Sequence, residues 1–276
     1  MATDSVPGPL HVDTVVVASG RPGRAPGSSV NVPVELTSTY AANGSVNYAR
    51  VGNPTWNAFE SALGALEGGT ALVHASGMGA ISAALSLVSP GGTVVAPDQT
   101  YNGTSDLLLA FEQAGGTVVR LHATDTAGFV TALHGADLLW LESPTNPLMD
   151  VIDLEPVLAR SRELGVTSVV DNTLPTPLLS RPLELGADVV VHSVTKYLSG
   201  HSDVVLGATV VADSERGRAL RERLHRHRTL HGAIAGPLEV FLALRDVATH
   251  LPGMGGCRSS RKSVTPGRSP SGAGAP

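Results

Sequence analysis

Lys196 supplies an amine in a setting that suits covalent chemistry. It lies in the stretch Asp188-Val189-Val190-Val191-His192-Ser193-Val194-Thr195-Lys196-Tyr197-Leu198-Ser199-Gly200-His201. An apolar run ends there in small hydroxyl residues, the lysine, and then Gly and His. An amine at the end of a strand can form a Schiff base with an aldehyde. Hydroxyls beside it, here Ser193 and Thr195, can hold a phosphate. Together these are the needs of pyridoxal 5′-phosphate (PLP). The apolar and small neighbours predict a buried amine, and burial disfavours the charged form.

Four other places carry groups that complete such a site. Ser76-Gly77-Met78-Gly79 is a small-residue turn that opens a helix. Its free N–H groups and the helix dipole favour phosphate, although an ordinary strand-to-helix turn reads the same way. Tyr101 is placed in a loop where it could stack on a flat ring; alone, it is equally a half-buried surface tyrosine. Asn146, between Pro144 and Pro147, could bond a phenolic oxygen, or the segment is a plain Pro-bounded turn. Asp171 ends an apolar run, and a carboxylate there needs a partner. A protonated pyridine nitrogen would serve, as would the cap of a neighbouring helix or turn.

Elements must bring these groups to one edge. Strand-like apolar runs cover residues 70–75, 93–96, 117–121, 138–141, 167–170, 189–191 and 208–211. Helical segments are predicted at 58–67, 80–87, 105–113, 154–164 and 215–227. Continuous apolar strands alternating with helices predict an α/β fold with a mainly parallel sheet covered on both faces. In such a sheet ligands bind at the carboxyl ends of the strands, and every group named above follows a strand. Residues 1–57, rich in Gly, Pro, Ser and Asn, read as an extended arm. Residues 58–245 read as the main domain. The stretch 246–276 reads as an aberrant tail, disordered from about 253 by its Gly, Ser, Pro, Arg and Lys content.

The 276 residues are 42% hydrophobic and 16% charged, and the net charge of −5 gives no footprint for nucleic acid. The single cysteine, Cys257, allows no disulfide framework within the chain. No secretory signal and no membrane-length apolar run are read, so the expected compartment is the cytoplasm. The stretch Leu224-His225-Arg226-His227-Arg228-Thr229-Leu230-His231 is read as a basic, exposed helix end rather than a metal site.

These motifs resemble the Cys/Met-metabolism PLP enzymes: cystathionine γ-synthase, cystathionine γ-lyase, methionine γ-lyase and the homoserine sulfhydrylases. The resemblance rests on Tyr48-Ala49-Arg50-Val51-Gly52-Asn53-Pro54-Thr55, Ser76-Gly77-Met78, Tyr101-Asn102-Gly103-Thr104, Glu142-Ser143-Pro144-Thr145-Asn146-Pro147, Val170-Asp171-Asn172-Thr173 and His192-Ser193-Val194-Thr195-Lys196-Tyr197. It continues to about Leu244-Arg245. It implies the large domain of the aspartate aminotransferase-like fold (fold type I), with the small C-terminal domain largely missing and a frameshift or truncation near Asp246.

By the same resemblance Lys196 is the Schiff-base lysine and the proton shuttle. Asp171 pairs the pyridine nitrogen, Tyr101 stacks on the ring and Asn146 meets its hydroxyl. Ser76, Gly77, Met78, Ser193 and Thr195 bind the phosphate, and Tyr48 and Arg50 serve the neighbouring subunit's site. The implied activity is transsulfuration-type chemistry at the γ carbon of an amino-acid substrate, in a homodimer or homotetramer. Methionine γ-lyase, an O-acyl-homoserine sulfhydrylase, and an inactive PLP-binding remnant are the alternatives.

Overall fold

The computed structural model describes residues 10–260. Strands β1 (Gly69–His74), β2 (Thr93–Pro97), β3 (Thr117–Leu121), β4 (Leu138–Glu142), β5 (Thr167–Asp171), β6 (Val189–Ser193) and β7 (Gly207–Ala212) form one sheet in the order β1-β7-β6-β5-β4-β2-β3. All neighbours pair in parallel except β7, which is antiparallel to both β1 and β6. Two reversals leave β1 running the same way as β6. The carboxyl ends of β1, β2, β4, β5 and β6 therefore open on one edge.

Helices cover both faces: α1 (Val12–Ala18), α2 (Pro54–Glu67), α3 (Gly77–Leu85), α4 (Asn102–Gln113), α5 (Thr126–Ala132), α6 (Leu154–Leu164), α7 (Thr176–Leu179), α8 (Glu215–His231) and α9 (Pro237–Ser260). Strand side chains alternate between faces, and the core splits accordingly. Val169, Val189, Val191 and Val211 pack with α3, α4 and α8. Val190, Ala208 and Val210 pack with α2 and α9, and Leu139, Leu141 and Val170 with α5 and α6. Valine-rich strands buried on both sides explain why these runs read as continuous rather than alternating.

The seven strands lie where the apolar runs predict them. Other expectations need correction. The segment 1–57 is not wholly extended: α1 packs on α2 and α9 through the buried Val16. Helix α2 begins at Pro54, earlier than residue 58. Asn53 Oδ1 accepts the Thr55 N–H at 2.8 Å, and proline suits the first helical position. Helix α9 passes residue 246 without a break and runs to Ser260, so residues 253–260 are helical. Propagation from an established helix needs only one more bond per residue, and Asp246 and Val247 are buried against the core. The remainder of the expected tail, 261–276, lies outside the described residues.

One glycine is essential to the sheet. A Cβ at Gly69 would stand 2.2 Å from the Val211 carbonyl oxygen, so only glycine lets β1 enter beside β7.

Candidate active site

Parallel pairing sets Glu142 of β4 directly against Asp171 of β5, both at their strand ends and both buried. Asp171 Oδ1 accepts the Thr173 N–H at 3.0 Å. Burial pushes the Asp171 carboxyl up from its ordinary range, against the downward pull of Thr173 and the nearby His192. Glu142 is pushed up to about 8, first by burial and then by the Asp171 charge, with the Tyr101 N–H opposing. Two buried carboxyls side by side make a site that favours an incoming cation. Among the described residues no lysine or arginine pairs with Asp171.

Glu142 also fixes Tyr101. Its Oε2 accepts the Tyr101 N–H at 2.8 Å, at the start of α4. Tyr101 is 42% exposed, and a Cβ at Gly103 would meet both Tyr101 Cε1, at 2.8 Å, and Met78 Sδ, at 2.4 Å. Tyr101 and Met78 thus come together, one from the residue that precedes α4 and the other from α3.

A phosphate cradle forms where α3 meets the end of β6. Ser76 Oγ caps α3 by accepting the Gly79 N–H at 3.0 Å. The N–H groups of Gly77 and Met78 fall in the first turn, where no intrahelical acceptor exists. A Cβ at Gly77 would stand 2.9 Å from Ser193 Oγ, so glycine allows the helix start to press against that hydroxyl. Thr173 ties this cradle to the carboxyl pair: its Oγ1 accepts the Ser193 N–H at 2.8 Å.

The remaining predicted residues are placed less uniformly. Lys196 follows β6 in a turn and is exposed rather than buried, because it stands three residues beyond the strand's last residue, where the chain leaves the sheet. The Thr195 hydroxyl donates to the Leu206 carbonyl at 3.1 Å and accepts the Leu206 N–H at 3.0 Å, so its one donor hydrogen is committed to the loop before β7. Asn146 is half-buried in the loop after β4. Tyr48 and Arg50 stand apart, with the Arg50 guanidinium 5.4 Å from the Tyr48 ring and its Nη1 donating to the Thr229 carbonyl of α8. In the same helix Arg228 is buried, not exposed. Glu142 and Thr173 were not among the sequence-predicted site residues. Glu142 follows its apolar run just as Asp171 does, but that the two runs are neighbours is a property of strand order.

A family model described as Cys/Met metabolism PLP-dependent enzyme matches residues 13–254. The chain belongs to the Cys/Met metabolism PLP-dependent enzyme family. It is 37% identical over 248 residues to a cystathionine beta-lyase of Coxiella burnetii, covering 87% of this chain and 63% of that protein. It is 40% identical over 243 residues to a cystathionine gamma-synthase of Mycobacterium bovis, covering 84% and 61%. This Cys/Met-family chain thus spans somewhat less than two thirds of these relatives. Its fold matches the crystal structure of apo CalE6, a methionine gamma lyase from Micromonospora echinospora, with TM-score 0.82 and 35% identity over 93% of this chain and 72% of that one. Sequence and fold agree on the PLP-dependent α/β architecture expected from the motifs.

The residues present fit PLP. Asp171 is a buried carboxyl with no cationic partner among the described residues, and the glycine-dependent contact of Gly77 with Ser193 leaves N–H and O–H donors converging. Anion donors and an acid for a ring nitrogen are the donor set this cofactor requires.

Proposed function

We propose that the chain is a PLP-dependent transsulfuration-type enzyme, a C–S lyase or γ-replacement transferase. Its substrates would be sulfur amino acids or homoserine esters, and it would work in the cytoplasm as a homo-oligomer. The observation that carries the reading is the convergence of the Asp171–Glu142 pair, the Tyr101 ring and the α3–Ser193 cradle on one sheet edge. No helix among the described residues is long and apolar enough to cross a membrane.

In this reading Lys196 Nζ would anchor the cofactor through its aldehyde, and Asp171 would face the ring nitrogen. Tyr101 would stack on the ring, and Asn146 would bond its hydroxyl. Ser76, the N–H groups of Gly77 and Met78, and Ser193 hold the phosphate; Thr195 joins them only if its bond to Leu206 opens. When bound, the cofactor's protonated ring draws electrons from the substrate's Cα and so eases removal of the protons at Cα and Cβ. The Lys196 amine would also serve as the base that takes the Cα proton and passes protons between substrate carbons. Asp171 would face the ring nitrogen and favour its protonated form, and Glu142, pushed up to about 8, would add little competing charge beside it.

The first test is the visible absorption spectrum of the full chain after PLP is added. A band that disappears in Lys196→Ala is expected; no band, or one that survives the substitution, defeats the reading. Products then sort the activities. Cleavage of cystathionine at Cγ releases 2-oxobutanoate, cleavage at Cβ releases pyruvate, and γ-replacement makes cystathionine from a homoserine ester and cysteine. A lysine-dependent band without any product marks a PLP-binding chain that does not turn over.

A further inference from the structure

Behind the candidate site, three polar side chains are buried where an apolar core would cost less. Glu67, the last residue of α2, and His192 of β6 are both 0% exposed, and Asn172, just past β5, is 1% exposed. One oxygen joins them: Glu67 Oε1 contacts His192 Nε2 at 2.6 Å and accepts from Asn172 Nδ2 at 2.8 Å. Asn172 Nδ2 also donates to the Ser180 carbonyl at 2.9 Å, which draws in the end of α7.

The arrangement carries a penalty. Glu67 Oε2, His192 Nδ1 and Asn172 Oδ1 are buried without a hydrogen-bond partner among the described residues. Groups left so are expensive, and packing alone would not select them.

What distinguishes these residues is their position in the chain. Asn172 follows Asp171 directly, and His192 directly precedes Ser193. Successive strand residues point to opposite faces. Val190 packs with α2 while Val191 packs with α3. Hence His192 faces α2 on the back of the sheet, and Ser193 faces α3 and the cradle on the front. The same buried oxygen therefore holds the side chains of the two residues that adjoin the ring-nitrogen acid and the phosphate hydroxyl in the chain.

We propose that Glu67, His192 and Asn172 are positioning residues, a knot on the back of the sheet that fixes the spacing between Asp171 and Ser193 for PLP. The inference rests on the PLP reading above. Asp171 and Ser193 hold the two ends of one rigid ligand, so a drift of either strand end misplaces one contact while keeping the other. Thr173 bridges the same pair on the front, and the knot closes the brace from behind.

The test compares PLP titrations of the full wild-type chain with Glu67→Gln, Glu67→Leu and Asn172→Ala, alongside Lys196→Ala. Three readouts are followed: the PLP dissociation constant, the visible circular dichroism of the bound ring, and the far-ultraviolet spectrum without PLP. Glu67→Gln keeps an acceptor oxygen for both donors and should stay near wild type in affinity and ring signal. Glu67→Leu should weaken PLP about tenfold, equivalent to about 1.4 kcal/mol, and diminish the ring signal while the cofactor-free chain keeps its secondary structure. Should Glu67→Leu fail to fold, Asn172→Ala carries the test, with a smaller loss in the same direction. Folded Glu67→Leu or Asn172→Ala with wild-type affinity and ring signal overturns the proposal. So do equal losses in Glu67→Gln and Glu67→Leu. A wild-type chain with no lysine-dependent band overturns the PLP reading and this inference together, whereas normal wild-type binding with unaffected variants overturns this inference alone.

Discussion

Glu142 is held out of its ordinary titration range by burial and by its neighbour Asp171, and that has a cost that depends on pH. Its carboxyl, ordinarily near 4.5, is pushed up to about 8 in the fold. The folded chain then binds more protons than the unfolded chain between those values, so stability is fully present below about 4.5 and is lost as pH rises through about 8. Glu142→Gln removes the titration and still offers an oxygen to the Tyr101 N–H. In the cofactor-free chain this variant should gain about 4 kcal/mol on wild type near pH 8 and little near pH 4, read from urea midpoints at both pH values. An equal difference at both would show that Glu142 does not titrate in this window. At this scale the sequence reveals the residues that end strands, because an apolar run followed by Lys, Asp or Ser-Gly is a local signal. Tyr101, Asp171, Ser193 and Gly77 were legible on that basis. Glu142 was less so, because its role comes from register with Asp171, and Thr173 bridges to Ser193 across a strand pair. Nor does the sequence reveal that the Thr195 hydroxyl is taken by Leu206, a partner eleven residues away in a loop.

Elements are joined by a second buried charge, remote from the carboxyl pair. Arg228 of α8 donates from Nη1 to Glu60 Oε1 of α2 at 3.0 Å and to the Val73 carbonyl of β1 at 2.8 Å. Its guanidinium lies 4.8 Å from the Trp56 ring. Glu60 Oε1 also accepts the Val73 N–H at 2.9 Å. One clamp therefore ties helices on opposite faces to the strand between them. Glu60→Ala leaves a buried guanidinium short of its counter-charge and should cost about 3 kcal/mol, seen as a lower urea midpoint with unchanged slope. Glu60→Leu combined with Arg228→Met removes both charges and should cost less than Glu60→Ala alone. A double variant at least as unstable as Glu60→Ala would mean that the charges stabilise the fold on balance. The clamp explains why the basic stretch at 224–231 misleads when read alone: arginines that follow helical spacing resemble an exposed face, and only the partner from α2 makes one of them a core residue. The helices that escaped the sequence reading have related causes. Helix α7 has four residues and contains Pro177, and α5 has seven, too few for a helical period to emerge. The strands, each a short apolar run, needed no partner to be recognised.

At the scale of the molecule, the segment leading to Pro54 presents Val30, Leu36, Tyr48 and Val51 to solvent, while Arg50 reaches α8 rather than the carboxyl pair. Apolar side chains in this number on an irregular segment suit contact with another subunit better than isolation. If Tyr48 and Arg50 serve the neighbouring subunit's site, as the sequence reading expects, a two-fold interface would exchange them reciprocally. That exchange can be separated from a role within one chain by mixing variants. Lys196→Ala lacks the amine but keeps Arg50, and Arg50→Ala lacks the guanidinium but keeps the amine. In a mixed dimer, one site draws Lys196 from one chain and Arg50 from the other and is complete. Random exchange of equal amounts should then restore roughly a quarter of the wild-type sites, counted by the visible band at limiting PLP. Each variant alone should show no band or a band only at high PLP. If Arg50 serves its own chain, mixing restores nothing, because every site then lacks one of the two groups whichever partner it meets.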